Sequence, residues 1–386
     1  MSLVGSVNEM KLSKDIFSLS AGDYGGTIIV AVFWFALAVL ITPEEYGEIH
    51  YFLGIAGLAF SISLLTTQDT IVVYTAKNVK LAPTLFLISL IAGGIAAIVI
   101  AALFSRVDSS FLLLGFIVND LAIGYIVGKK LFTKYPKYFL LQKSLTFVLG
   151  ISFFYIFGVE GILFAVALSY SHFIFIIVTV FRKSSIDFSL LKKHRGFIGN
   201  NYFMNISGAV RSHIDKIIIM PLIGFEILGN YALSLQIYAV LMIFSNIIYR
   251  YTLSHDASGT STRKIKLIGL SYAVGVSILG FTILPLVVPL VFEKFVDIGP
   301  AIQIMSLAVI PATISLFYTS QILGREKSSV ILASRILGSS SIIVILLILA
   351  PLYGMIGAAS AFVLSALVIC VFLVCAEYYR THNQRN

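Results

Sequence analysis

The sequence predicts an all-α polytopic membrane protein: about 12 transmembrane helices in two six-helix lobes, with both termini cytoplasmic. Three observations carry this. Hydrophobic residues make up 59% of the 386 and charged residues only 12%, with a mean hydropathy of +0.99, far from the make-up of a soluble domain. Apolar runs of roughly 20 residues, the length that crosses a bilayer core, recur along the whole chain. Lys and Arg gather at alternate ends of those runs, as they do where cytoplasmic loops retain positive charge.

Taken in order, the runs fall at about 16–41, 47–66, 82–104, 110–128, 139–157 and 161–181 in the first half. Those of the second half fall at about 197–222, 228–252, 267–292, 300–323, 331–351 and 355–378. With the N-terminus inside, only Arg106 and Lys294 are left on the outer side and Arg211 and Lys216 fall within a span. The other 23 of the 27 Lys and Arg lie on or beside the cytoplasmic side. A miscounted span would scramble that alternation. The formal charge of +9 is therefore a topology signal, and no nucleic-acid partner is expected.

Residues 1–181 are read as the N-terminal lobe, 182–196 as a cytoplasmic linker and 197–386 as the C-terminal lobe. The stretch 67–80, TQDTIVVYTAKNVK, is amphipathic and extends the second helix along the inner surface. The first 15 residues lack the apolar core of a removable leader, so the first span is expected to direct insertion. Cys370 and Cys375 share the last apolar run at a spacing that does not stack them on one face, which implies neither a disulfide nor a metal framework.

An internal repeat supports the two halves. A shift of 182 lays LITPEEYGEIHYFLGI (40–55) on LIGFEILGNYALSLQI (222–237), pairing Gly47 with Gly229, and also pairs Asp23 with Asn205. A shift of 196 lays GVEG (158–161) on GMIG (354–357). Equal topology in each half makes the repeats parallel, related by an axis along the membrane normal.

The chemistry concentrates in the seventh span. Asn201, Asn205, Gly208, Ser212 and Asp215 fall at i, i+4, i+7, i+11 and i+14, within about 40 degrees of one line on a helix. Such a stripe either walls an aqueous cavity or bonds neighbouring helices; Arg211 and Lys216, which flank it, favour the cavity. Arg211 and Asp215 are also spaced to pair with each other. The Asn205-Ile206-Ser207 sequon lies mid-membrane, out of reach of a glycosylating enzyme.

In the first half, Asp23 lies roughly 10 Å into its helix and Asn119 and Asp120 near the middle of the fourth. A buried carboxylate takes up a proton before it stays charged and unpaired, so these are candidates for H+ or Na+ coupling, weighed against simple hydrogen bonding between helices. His172 and Gln303 read as packing residues. Pro285, Pro289 and Pro311 kink the second half, and Gly22, Gly25 and Gly26 loosen the first helix or let a neighbour approach. No phosphate-binding loop, DxD pair, HExxH, GxSxG or large outer loop is present, so no catalytic residue, metal or cofactor is expected and direct ATP coupling is not implied.

LITPEEYGEIHYFLGI after the first helix resembles the polysaccharide flippases (Wzx type) of the multidrug/oligosaccharidyl-lipid/polysaccharide superfamily. So do IDKIIIMPLIGFEILGNYALSLQIY across helices seven and eight, PLVVPLVFEKFVDIGPAIQIMSLAVIPA across nine and ten, and PLYGMIGAASAFVLS at the start of twelve. The resemblance implies a MATE/MOP-like V-shaped bundle, alternating access, and export of lipid-linked oligosaccharide from the inner to the outer leaflet of the cell membrane. It implies a prenyl phosphate or diphosphate glycan as substrate, membrane lipids and other glycan-assembly membrane proteins as partners, and Arg211 and Lys216 as the cations that receive the phosphate. Asn201 and Asn205 would bond sugar hydroxyls, Ser212 and Asp215 would complete the cavity wall, and Asp23 or Asp120 would couple an ion gradient. The alternative is a cation-coupled multidrug antiporter of the same superfamily.

Overall fold

The computed structural model describes residues 3–258, 262–325 and 327–383, with side chains from Gly22 to Tyr379 apart from Ser254 and Ala257. Lys11, Lys14, Arg380 and Arg385, read as cytoplasmic cations, lie outside the described side chains. The described residues form helices and turns with no strand. The helices are α1 (Leu3–Leu40), α2 (Pro43–Ser63), α3 (Gln68–Ala76), α4 (Ala82–Phe104), α5 (Val107–Gly128), α6 (Tyr135–Phe157), α7 (Glu160–Leu168) and α8 (Ile174–Lys183). There follow α9 (Phe188–Leu241), α10 (Ile243–Ala257), α11 (Arg263–Thr282), α12 (Leu284–Val291), α13 (Ile298–Ser306), α14 (Val309–Gly324) and α15 (Ser328–Asn383).

Among the described residues, nine helices are long and apolar enough to cross a membrane, or ten if α2 and α3, which meet at a 40° bend, make one broken span. Two of these helices are themselves double. α9 breaks at Gly224 (φ 89°) and α15 at Gly354 (φ 54°), and counting each twice reaches the twelve spans read from hydropathy. In both, a proline three residues earlier, Pro221 or Pro351, removes a backbone donor, and the glycine then adopts the left-handed conformation that other residues resist. α11 and α12 are likewise parted at Ile283, beside Pro285. Side chains such as Leu103, Phe175, Leu286 and Leu290 are fully exposed, as expected of a surface solvated by hydrocarbon. The chain is a multi-pass membrane protein.

It divides into two compact units: Met1–Leu37 with Phe52–Ala209, and Ala38–Tyr51 with Val210–Asn386. Helix resumes at Phe188, so within the 182–196 stretch only 184–187 is non-helical. In the first unit, helices approach through small residues, the usual device where lipid offers no hydrophobic drive to association. Gly22 and Gly26 of α1 lie against Pro136 and Phe139 of α6, and the Phe33 ring covers Gly150. α3 rests on α5 at Gly124 and Gly128. A buried hydroxyl and amide cluster joins α6 to α7: the Gln142 amide donates to Thr146 (2.9 Å) and to Ser169 (3.0 Å). His172 is held between the carbonyl oxygens of Ser169 and Tyr138, a packing role as expected.

In the second unit, Ala273, Val309, Leu241 and Met242 form one apolar cluster and Ile322, Ile331 and Leu373 another. Ser245 bonds Thr313 at 2.8 Å and Ser277 donates to the Ser306 carbonyl at 3.0 Å, so α10, α11, α13 and α14 are tied by polar contacts as well. The first two turns of α2 belong to this unit. There Gly47 meets Gly229 backbone to backbone: a methyl on Gly47 would strike the Phe225 carbonyl, and one on Gly229 the Pro43 carbonyl. Phe225 is Pro43 shifted by 182, as Gly229 is Gly47, so the contact has a local two-fold symmetry. The second repeat is equally visible. Gly158 and Gly354 both have positive φ, and three residues on, Gly161 closes on the Phe153 carbonyl and Gly357 on the Leu349 carbonyl, again 196 apart.

Candidate functional site

The part of α9 before its break, 188–223, carries the polar stripe, and the structure sends its members to different places. Asn201 and Asn205 belong to the first unit. The Asn201 amide donates to the Phe197 carbonyl one turn back (2.9 Å), whereas the Asn205 amide nitrogen is buried without a hydrogen-bond partner among the described residues. Arg211, Ser212, Asp215 and Lys216 belong to the second.

Asp215, buried, accepts from the fully buried Tyr231 hydroxyl at 3.0 Å and pairs with Lys216 at 3.4 Å; the Lys216 ammonium also donates to the Ser212 carbonyl at 3.1 Å. The spacing-based pairing of Arg211 with Asp215 is therefore replaced by a Lys216–Asp215–Tyr231 cluster. A cation neutralised this way has less charge to offer an anion, so Lys216 is the weaker member of the expected phosphate-binding pair.

Arg211 takes the other direction. Its guanidinium occupies the space over Gly338, where a methyl group would collide with it, and its Nη1 is buried with no hydrogen-bond partner among the described residues. It lines a cavity of about 540 Å³ inside the second unit together with Arg335 of α15. The Tyr238 hydroxyl and, more remotely than in a salt bridge, the Asp215 carboxylate are near enough to interact with it, and Arg335 is near enough to repel it. The remaining polar lining is Asn246, Tyr249, Ser315, Thr319 and Ser334, with Phe362 beside Tyr238 at 4.9 Å between ring centroids. Among the described residues, no carboxylate lines the space. Two guanidiniums, amide and hydroxyl groups, and aromatic faces together could receive an anionic, hydroxyl-rich molecule.

The sequence reading missed Arg335. It lies four residues after the apolar run begins at 331, and a cation so near a helix end is ordinarily assigned to the membrane surface. Lys143 was hidden in the same way. It stands within the α6 span, over the Phe139 ring at 5.0 Å.

In the first unit, the Tyr135 hydroxyl donates to Asp23 at 2.5 Å. Asp120 accepts the Gln68 backbone N–H at the N-terminus of α3, where Asp69 is near enough to repel it. The Asn119 carbonyl oxygen is buried without a hydrogen-bond partner among the described residues. Asp23 and Asp120 thus differ in the partners described for them. No group of three or more His, Cys, Asp or Glu among the described residues is arranged to hold a metal ion.

No protein-family model matches the chain, and no curated protein matches its sequence. Solved structures do. A multidrug resistance MATE family transporter of the MOP superfamily, inward-facing, aligns with a TM-score of 0.73 at 15% identity, over 94% of this chain and 96% of that one. The lipid II flippase MurJ, inward closed, aligns with a TM-score of 0.70 at 14% identity, over 93% and 87%. A MOP superfamily transporter from Pyrococcus furiosus, described as having a binding pocket of reverse polarity, aligns with a TM-score of 0.63 at 16% identity, over 97% and 96%. At these identities the likeness is one of fold: the chain has the MATE/MOP transporter architecture. Both multidrug transporters and a lipid-glycan flippase share it.

Proposed function

We propose that this protein is a flippase of the polysaccharide-exporter type, carrying a lipid-linked oligosaccharide from the inner to the outer leaflet of the cell membrane by alternating access. The observation that carries the reading is the placing of Arg211 and Arg335 in one cavity that no carboxylate among the described residues lines. A cationic drug would meet two like charges there; a phosphate or diphosphate meets two forked donors. Asn246, Tyr249, Ser315 and Thr319 then serve the sugar hydroxyls, and the prenyl tail remains in hydrocarbon. Asp23 or Asp120, with Asn119, supplies H+ or Na+ coupling, and both termini are cytoplasmic. Partners on this reading are the prenyl phosphate or diphosphate glycan, membrane lipids and other glycan-assembly membrane proteins.

The second reading is a cation-coupled multidrug antiporter, favoured by the intramembrane carboxylates Asp23 and Asp120 and by the MATE likeness. Purified protein in liposomes separates the two. Translocation of labelled prenyl-diphosphate glycan, reduced at least tenfold by Arg211→Ala or Arg335→Ala with unchanged thermal stability, supports the flippase. Ethidium transport that survives those substitutions and is abolished by Asp23→Asn supports the antiporter.

A further inference from the structure

A second cavity, in the first unit, shares no residue with the one just described. It is a crevice of about 870 Å³ between α5, α6 and α7, walled by Phe111, Phe153, Phe157 and Phe164. Its aromatic walls are braced against one another: Phe111 and Phe164 lie 6.0 Å apart, and Phe153 and Phe157 meet edge to face at 5.3 Å. The space exists because the helices are pinned at glycine. Gly161 brings α7 onto the α6 backbone and Gly115 receives the Tyr170 ring, which leaves the bulkier residues between these points splayed apart.

The crevice is open rather than enclosed, since Phe111 and Phe157 on its walls are exposed, and its apolar walls gain dispersion contacts only when hydrocarbon fills it. Water finds almost no partners along such a lining, which favours an apolar guest. The walls lie within the α5, α6 and α7 spans, so the surrounding solvent is lipid hydrocarbon. One charged group belongs to the lining: Glu160, the first residue of α7, at the α6–α7 turn where both spans reach the membrane surface. An acid in the first turn of a helix has an ordinary role against the helix dipole, but this one also stands at the mouth of the crevice, exposed, with no partner among the described residues.

We propose that the crevice binds a hydrocarbon chain of a phospholipid whose headgroup carries an amine, the ammonium resting on Glu160. The sign of the mouth chooses between lipids. A prenyl phosphate or an anionic phospholipid would bring negative charge to a carboxylate, whereas a phosphatidylethanolamine-type headgroup brings a cation within reach. The site is thus a lipid site apart from the transported substrate, and it stands or falls independently of the flippase reading.

Native mass spectrometry of the full chain tests it, with phosphatidylethanolamine, phosphatidylglycerol of the same acyl chains, and a prenyl phosphate added in turn. The amine lipid is expected to be retained two- to fivefold over either anionic lipid, the scale of an exposed ion pair. Glu160→Gln should equalise the lipids and Glu160→Lys should reverse the order. Filling the crevice by Ala167→Phe, or by Leu114→Phe as a second variant, should remove retention of all three while thermal unfolding shows the protein intact. Equal or stronger retention of the anionic lipids by the wild type, a preference that survives Glu160→Gln, or full retention in both filled variants would overturn the proposal.

Discussion

Gly47 and Gly229 touch backbone to backbone, each occupying the place where the other's side chain would be, and each facing the carbonyl four residues before its counterpart. Such a contact leaves no room for adjustment, because the atoms met are backbone and cannot swing aside. Gly47→Ala and Gly229→Ala should each destabilise the protein by about 1–3 kcal/mol, the usual cost of overpacking. Gly94→Ala and Gly275→Ala, at helical glycines with nothing within 4 Å, should be neutral or gain up to about 1 kcal/mol from helix propensity. Thermal unfolding in detergent reads all four, and equal effects would show that the crossing has more slack than its geometry allows.

The place of Arg211 depends on Gly338. Gly338→Val should push the guanidinium out of the cavity and weaken binding of a prenyl diphosphate about as much as Arg211→Gln does. Loss of one charge-assisted bond, about 1.5–3 kcal/mol, corresponds to roughly ten- to hundredfold. Arg335→Gln should act to a similar degree, and Lys216→Gln less, since Asp215 already neutralises it. Binding measured by tryptophan-independent means, such as calorimetry, ranks the four.

Asp256 supplies a pH signature at the α10–α11 turn. Burial opposes its ionisation, but Lys266 at 2.6 Å, with the Ser320 and Thr262 hydroxyls, outweighs burial and holds the carboxyl below its ordinary value. A depressed carboxyl stabilises the fold above its unfolded value, near 3.9, and that stability is lost as pH falls through the folded value. Asp256→Asn should therefore lower thermal stability at neutral pH, by about 1 kcal/mol for a pair at a partly exposed helix turn. The gap from wild type should close below about pH 4. A gap constant down to pH 3 would exclude the ionic contribution.

The coupling role proposed for Asp23 and Asp120 can be tested one residue at a time. Asp120→Asn should preserve substrate binding while abolishing its acceleration by an imposed H+ or Na+ gradient in liposomes. Asp23→Asn, whose carboxylate is engaged by Tyr135, tests the other candidate, and Asn119→Ala should weaken whichever effect Asp120 shows. Gradient-driven transport intact in all three would remove coupling from the first unit.

Composition and the alternation of Lys and Arg were enough to read the helical membrane fold and its twelve spans, because span length and cytoplasmic charge are properties of short sequence windows. The repeats were legible through Gly47, Gly229, Gly158 and Gly354 for a similar reason: only glycine tolerates those backbone positions. The cavity was not. Arg211 was visible as a charge inside a span, but whether it met Asp215, four residues on, or Arg335, far away in sequence, depends on side-chain direction and on the gap left by Gly338. Lys216 and Asp215 looked like flanks of one polar stripe and instead neutralise each other, since the Tyr231 hydroxyl, which helps fix Asp215, comes from beyond the break at Gly224.

The matched turns at Gly158 and Gly354 give this polypeptide its own internal standard. Any change made at Gly161 has a twin at Gly357, set against the same carbonyl in the same kind of turn, so detergent, lipid and expression are identical for both. A difference in outcome between the twins then reports on how the surroundings of the two matched turns differ.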